Sequence, residues 1–239
     1  MKVQLFIPCF VDQLYPQTAF NMVKVLEKVG CEVSYNPAQT CCGQPAFNAG
    51  FLDDARAVCN KFLTEFNPDI PIVAPSASCV GFVKNYYIKL LQDTTKATKA
   101  EAIATNVFEF TDFLVNSLGI KEVGAELEGK ATYHDSCAAL RECKIKNEPR
   151  ELLLHVKGLE LTELADVETC CGFGGTFAVK FEPISIGMAE QKVDNALATE
   201  AQYLISTDLS CLMHLQGYIA NKGYKLQTMH IADVLASGW

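Results

Sequence analysis

The sequence contains no apolar run close to the roughly 20 residues that a membrane-spanning helix needs. The apolar stretch from Val3 to Val11 is short, Pro8 interrupts it, and no small-residue cleavage site follows it. We therefore expect this stretch to form a buried first strand. We also expect a cytoplasmic protein without a membrane span.

Clusters of lysine and arginine are absent as well. The 28 acidic residues outnumber the 20 basic ones, which gives a formal net charge of −8. This balance argues against a partner that is nucleic acid or an anionic membrane surface. No G-x-G-x-x-G follows the first predicted strand, so the sequence also lacks the fingerprint of a dinucleotide-binding fold.

Cysteine, in contrast, is abundant, with 11 residues in a chain of 239. In a reducing compartment, so many cysteines indicate metal or redox chemistry rather than a disulfide framework. The odd number also fits poorly with complete pairing. Cysteine content is therefore the first feature of the sequence that points to a function.

Eight of these cysteines form a pattern that occurs twice. The tripeptide Cys-Cys-Gly appears at 41–43 and at 170–172, each time with one isolated cysteine upstream and one downstream. The upstream gaps hold 31 and 32 residues, and the downstream gaps hold 35 and 38. Such agreement indicates internal duplication. The first cysteine set comprises Cys9, Cys41, Cys42 and Cys79, and the second comprises Cys137, Cys170, Cys171 and Cys211.

The segments around the two sets also correspond. Strand-like runs precede each cysteine position, and helix-like runs at 18–29, 52–66 and 184–197 separate them. This alternation predicts an α/β fold of two pseudo-symmetric halves, each a small, mainly parallel sheet flanked by helices. We place the halves at residues 1–124 and 125–239, because residues 124–129 have the composition of a connector.

In such sheets, ligands bind beyond the carboxyl ends of the strands, where all the matched cysteines fall. Each half would therefore gather four thiolates at one rim. Four thiolates suit either Zn²⁺ or a [4Fe–4S] cluster. Close C-x₂-C pairs are lacking, whereas the glycines after Cys171 would bring backbone N–H groups near sulfur, which favours iron–sulfur. Cys31, Cys59 and Cys143 have no counterpart, and we interpret them as small buried residues.

Several longer strings resemble a known family, the cysteine-rich CCG domain proteins related to the cysteine-rich component of heterodisulfide reductase, and in particular the family of lactate utilization protein A. The resemblance covers essentially the whole chain. It rests on CCGQPA at 41–46, SASC at 76–79, HVKGLELTEL at 155–164, CCGFGGTF at 170–177 and SCLM at 210–213.

The resemblance implies an iron–sulfur electron-transfer subunit of a multi-protein system that oxidises L-lactate to pyruvate, rather than an enzyme acting alone. It implies two other subunits as partners, one of them ferredoxin-like. It also implies one or two clusters of the [4Fe–4S] type per chain, with all eight matched cysteines as ligands. Two alternatives stay open, namely a heterodisulfide or thiol–disulfide reductase-like subunit and a zinc-stabilised binding module.

The chain departs from the fuller family motif, which ends in C-x-x-C. Ser76 and Asp208 occupy the position of the first cysteine of that pair, which makes an oxygen ligand a minor hypothesis at each. His134 and His214 each lie three residues from a matched cysteine and are candidates for proton donation or lactate binding. Arg141 is a candidate partner for a substrate carboxylate.

Overall fold

Two separate four-stranded sheets organise the chain, one in each half of the sequence. The computed structural model describes residues 1–239. The strands of the first sheet are β1 (Lys2–Leu5), β2 (Glu32–Tyr35), β3 (Ile72–Ala74) and β4 (Val107–Glu109). Those of the second are β5 (Glu126–Tyr133), β6 (Lys157–Leu161), β7 (Tyr203–Ser206) and β8 (Gln227–His230).

Both sheets have the same topology. The strand orders are β2-β1-β3-β4 and β6-β5-β7-β8, and every neighbouring pair is parallel. The chain leaves the central strand for one edge and then returns on the other side, which creates a switch point between β1 and β3, and another between β5 and β7. The predicted α/β fold and its duplication are confirmed. The fourth strands, β4 and β8, were not predicted.

Helices connect the strands in the manner of βαβ units. In the first half they are α1 (Cys9–Leu14), α2 (Pro16–Lys28), α3 (Gln44–Asn48), α4 (Leu52–Glu65), α5 (Ala77–Leu91), α6 (Ala97–Thr105) and α7 (Phe110–Asp112), which continues into a π-helical turn at Phe113–Ser117. In the second half they are a π-helical turn at Ala139–Cys143, α8 (Glu148–Leu153), α9 (Thr176–Lys180), α10 (Glu182–Leu197), α11 (Leu209–Lys222) and α12 (Ile231–Leu235). None of these helices combines the length and the apolar composition that crossing a membrane requires.

One hydrophobic core joins the two halves. It contains 26 buried residues drawn from both sheets, among them Leu5 and Tyr133 on the central strands. Helix α2 contributes Met22, Val25 and Leu26, which repeat at the spacing of one helix face. Each half also has a smaller core of its own on the other face of its sheet. The duplicated units therefore share buried surface instead of standing apart.

The expected connector at 124–129 is partly wrong, because β5 already begins at Glu126. The first residues of β5 are exposed or half-buried, and the register shifts between Glu126 and Gly129, where Gly129 has a φ of +134°. A bulged strand start that faces solvent has the composition of a loop, which explains the difference. We propose the boundary between the halves at residues 124 and 125.

Candidate metal centre

The matched cysteines follow the carboxyl ends of the first three strands of each sheet. Cys9 begins α1 shortly after β1, Cys41 and Cys42 follow β2, and Cys79 lies in the first turn of α5 after β3. The second set occupies the same places after β5, after β6 and in the first turn of α11. The strand order brings the loops after neighbouring strands to one rim, so residues some thirty positions apart in sequence converge.

All eight matched cysteines line a single cavity of about 410 Å³ between the two halves. The three unmatched cysteines do not line it. Cys31 and Cys59 are buried in the hydrophobic cores, and the Cys143 thiol donates a hydrogen bond to the Ala77 carbonyl oxygen at 3.3 Å. The cysteines that match between the two halves of the sequence are thus the same ones that line the cavity. All 11 are free thiols.

Within the first set, the sulfur atoms are in contact. The Sγ atoms of Cys42 and Cys79 lie 3.5 Å apart, and the Gly43 N–H donates to the Cys41 sulfur at 3.3 Å. Hydrogen bonds from Cys42 and Cys9 lower the pKa of Cys41 to about 3, while donation to Cys41 raises the pKa of Cys9 and of Cys42. This set therefore stabilises a thiolate at Cys41.

The second set repeats this arrangement. The Gly172 N–H donates to the Cys170 sulfur at 3.4 Å, and the Phe173 N–H donates to the Cys171 sulfur at 3.5 Å. Hydrogen bonds from Cys137 and Cys171 lower the pKa of Cys170 to about 2. Backbone N–H bonds stabilise the thiolate form of cysteine, and thiolates are the ligands that soft metal ions prefer.

The glycine of each Cys-Cys-Gly tripeptide adopts a left-handed backbone conformation. The φ angles are +95° at Gly43 and +94° at Gly172, a region that other residues rarely adopt. A Cβ atom at Gly172 would lie 2.6 Å from the Ser185 carbonyl oxygen. Both tripeptides therefore require glycine for the turn, and the second also requires it for close packing against α10.

A buried carboxylate connects the two rims of the cavity. Asp208 accepts hydrogen bonds from the Ser76 hydroxyl at 3.1 Å and the Ser78 hydroxyl at 2.9 Å on Oδ1, and from the Ser136 hydroxyl at 2.7 Å on Oδ2. Both carboxylate oxygens are engaged by protein donors, and the Ser76 hydroxyl is directed at Asp208. This arrangement argues against the hypothesis that either residue is an oxygen ligand.

The candidate residues His214 and Arg141 lie in different places relative to the cysteine cavity. His214 is half-buried, and its Nε2 lies 3.2 Å from the hydroxyl of Ser185, which itself donates to the Gly172 carbonyl oxygen at 2.8 Å. Arg141 is exposed and lines a separate surface depression with Asp166. The structure therefore brings His214 near the second Cys-Cys-Gly loop and leaves Arg141 outside the cysteine cavity.

His134 is completely buried beside the second set. One of its ring nitrogens and the sulfur atoms of Cys171 and Cys211 all lie within 4.8 Å of one another. Neither ring nitrogen has a hydrogen-bond partner, which costs about 1–3 kcal/mol for a buried polar group. Burial, reinforced by the nearby ammonium of Lys192, lowers the pKa of His134 to about 3 and keeps the imidazole neutral.

The donor atoms of the cavity suit two kinds of bound group, an iron–sulfur cluster and a zinc ion. Each half presents four thiols and no disulfide in a largely apolar cavity, a donor set that both [4Fe–4S] clusters and Zn²⁺ accept. Calcium and magnesium prefer oxygen ligands, and the Asp208 oxygens are occupied by serine hydroxyls. The residues present therefore fit a soft metal centre in each half.

The profile of the CCG cysteine-rich domain matches residues 3–84 and again residues 131–216. Lactate utilization protein A from Geobacillus thermodenitrificans is 43% identical over 235 residues, which cover 98% of both chains. The same-named protein from Bacillus subtilis is 43% identical over 237 residues, covering 99% of this chain and 100% of its own. The chain belongs to the lactate utilization protein A family. The resemblance inferred from the cysteine motifs is thereby confirmed.

A similar fold also occurs in a solved structure of distant sequence. A hypothetical protein from Helicobacter pylori superposes with a TM-score of 0.65 at 12% identity. The match covers 100% of this chain and 49% of the other chain. At this identity the similarity concerns the fold alone.

One buried residue that shapes the site of this CCG protein, Lys192, was not predicted. Lys192 is completely buried on α10, and its ammonium donates to the carbonyl oxygens of Asp166 at 2.7 Å and Val167 at 3.1 Å in the loop before Cys170. Burial lowers the pKa of Lys192. The sequence does contain a signal, because this lysine lies between Ala189 and Ala196 on the buried face of the helix.

Proposed function

We propose that this chain is an iron–sulfur electron-transfer subunit of a multi-protein system that oxidises L-lactate to pyruvate. The observation that carries the proposal is the cavity lined by all eight matched cysteines and by none of the others. The first and second cysteine sets would each hold a [4Fe–4S] cluster. Such clusters supply one-electron transfer.

The stoichiometry of the reaction agrees with two centres. Conversion of L-lactate to pyruvate removes two electrons and two protons from the substrate. Two centres, each accepting one electron, would hold the pair until a further acceptor takes it. Backbone N–H groups directed at Cys41 and Cys170 would tune the potentials of such centres.

The substrate of this proposal comes from the names of the relatives, and the partners come from the family resemblance of the cysteine motifs. Proteins named lactate utilization protein A align with this chain from end to end at 43% identity. The partners in the proposal are two further subunits, one of them ferredoxin-like, and the compartment is the cytoplasm. The chain would then act as part of an L-lactate dehydrogenase complex.

One observation favours a second candidate, a zinc-stabilised binding module. The sulfur atoms of Cys42 and Cys79 lie 3.5 Å apart. A tetrahedral zinc ion with Zn–S bonds of about 2.3 Å holds its sulfur ligands roughly 3.8 Å apart. A single ion would therefore require little movement in the first half.

The test is a metal and sulfide analysis of protein purified without oxygen. About four or eight irons per chain with equal acid-labile sulfide would support one or two clusters. Bleaching of the visible absorption by lactate, only when the partner subunits are present, would support the electron-transfer role. Zinc without sulfide would favour the binding module, and reduction of a disulfide by this chain alone would favour a reductase-like subunit.

A further inference from the structure

The two halves differ at a position three residues before the first cysteine of each set. In the first half this residue is Phe6, and in the second half it is His134. The Phe6 ring packs edge-on against Phe62 with a centroid distance of 4.9 Å. An apolar contact in one half is therefore replaced by an imidazole in the other.

The backbone holds His134 firmly in place. Its N–H donates to the Ile205 carbonyl oxygen at 2.8 Å, and its own carbonyl oxygen accepts the Ser206 hydroxyl at 2.9 Å. The side chain has no exposed surface, and both ring nitrogens lack a protein partner. Buried polar side chains are nearly always hydrogen-bonded, so an imidazole without partners indicates a missing ligand.

The sulfur atoms beside this ring identify the kind of ligand. A ring nitrogen of His134 and the sulfur atoms of Cys171 and Cys211 lie within 4.8 Å of one another, and all three residues are buried. Imidazole nitrogen and thiolate sulfur are the donors that zinc and iron sites combine. No comparable nitrogen is available from Phe6.

The residues near His134 and near Phe6 also differ in polarity. Cβ atoms added to the two Cys-Cys-Gly glycines would approach the carbonyl oxygens of Ala55 and Ser185, which aligns α4 with α10. Phe62 lies seven residues after Ala55, and Lys192 lies seven residues after Ser185. A phenyl ring of the first half thus corresponds to a buried ammonium in the second. The Lys192 ammonium donates to the carbonyl oxygens of Asp166 and Val167 and makes no hydrogen bond to the imidazole.

We propose that His134 is a nitrogen ligand of the metal centre in the second half, so that the two halves hold chemically different centres. The inference rests on the proposed function. The first half binds through four thiolates, whereas in the second half the imidazole takes one of the four ligand positions and three thiolates of the set take the others. Histidine ligation raises the reduction potential of an iron–sulfur centre relative to thiolate ligation. The centre of the second half is therefore the one that is reduced first.

The test is pulsed electron paramagnetic resonance on anaerobically prepared, reduced protein, with and without ¹⁵N-labelled histidine. We expect a strong nitrogen coupling in the unsubstituted protein that changes with the isotope. His134→Phe, which copies Phe6, should abolish the coupling and lower the higher of the two potentials. The matched control is His214→Phe, which copies Phe82 and should preserve both signals. His134→Cys should retain the metal while losing the coupling.

The possible results separate this inference from the proposed function. Iron and sulfide without a strong histidine coupling would overturn the ligand assignment and leave the iron–sulfur proposal intact. Zinc without sulfide would overturn the iron–sulfur proposal, and the visible spectrum of the cobalt-substituted protein would then decide between mixed and all-sulfur ligation. Absence of any metal from anaerobically prepared protein would overturn both.

Discussion

The Ser76 hydroxyl donates a hydrogen bond to the Asp208 carboxylate at 3.1 Å, and the two residues occupy equivalent positions in the two halves. Each lies at the start of the helix that carries the last cysteine of its set, three residues before Cys79 or Cys211. Contact between equivalent residues of a duplicated chain places the pseudo-two-fold axis between them. The two cysteine sets therefore face each other across this hydrogen bond.

Replacing Asp208 by alanine should destabilise the protein without removing metal. The substitution leaves the buried hydroxyls of Ser76 and Ser136 without their acceptor, which costs about 1–3 kcal/mol in unfolding free energy. Urea denaturation measures this loss, and iron analysis measures the metal. The control is Asp69→Ala, since that residue is exposed and its carboxylate takes part in no ion pair. Loss of iron at unchanged stability would instead identify Asp208 as a ligand.

Cys171→Ser should remove the metal centre of the second half and leave the first centre in place. About half of the iron and sulfide per chain should be lost, because Cys171 is a proposed ligand with its thiol inside the cavity. Cys143→Ser is the control, since that thiol bonds to the Ala77 carbonyl oxygen and should not affect metal content. Equal iron in Cys171→Ser and unsubstituted protein would refute the assignment of this ligand.

Gly172→Ala should be more harmful than the same change at Gly43. Both glycines have φ angles near +95°, so each substitution costs about 1–2 kcal/mol through backbone strain. Only the Gly172 substitution also brings a Cβ atom to 2.6 Å from a backbone oxygen, whereas the nearest atom at Gly43 is a Val58 side-chain carbon at 3.3 Å. Thermal unfolding of the two variants compares them directly, and equal losses would contradict the close packing at Gly172.

Glu109 should make the stability depend on pH. Burial raises its pKa to about 8 from the usual 4.5, so between these values the folded protein retains a proton that the unfolded chain releases. The contribution is complete below about pH 4.5 and is lost as the pH rises through about 8. Glu109→Gln should flatten this slope, measured as urea midpoints from pH 5 to pH 8. Substitution of the exposed Glu101 by glutamine should leave the slope unchanged.

The duplication and the first three strands of each sheet in chain order were predictable from the sequence because cysteine spacing marks both. Cys9, Cys79 and their counterparts follow short apolar strands. The same cysteine pattern therefore predicted both the duplication and the edge of each sheet at which the cysteines meet. The fourth strands were not predictable in this way. β4 has three residues and β8 has four, and no cysteine follows either of them.

The hydrogen bonds and the packing around the cysteines could not be predicted from the sequence. A hydrogen bond such as that from Ser136 to Asp208 joins residues 72 positions apart, and no periodicity signals it. The sequence identified His134 as a candidate for proton donation or lactate binding, because it lies three residues before Cys137. That its ring is completely buried and has no hydrogen-bond partner depends on the packing of α10 and α11 against the second sheet.

The hydrophobic core shared by both sheets has a consequence for ancestry. A single ancestral unit would have exposed the apolar residues that now meet between the halves, including the buried faces of β1 and α2. Such a unit would have needed a second copy of itself to cover that surface, because large exposed apolar patches lead to association. A chain that carries both units in tandem covers this apolar surface within one molecule. Two units in one chain can also differ at corresponding positions, which identical subunits of a homodimer cannot, and Phe6 and His134 are such a difference.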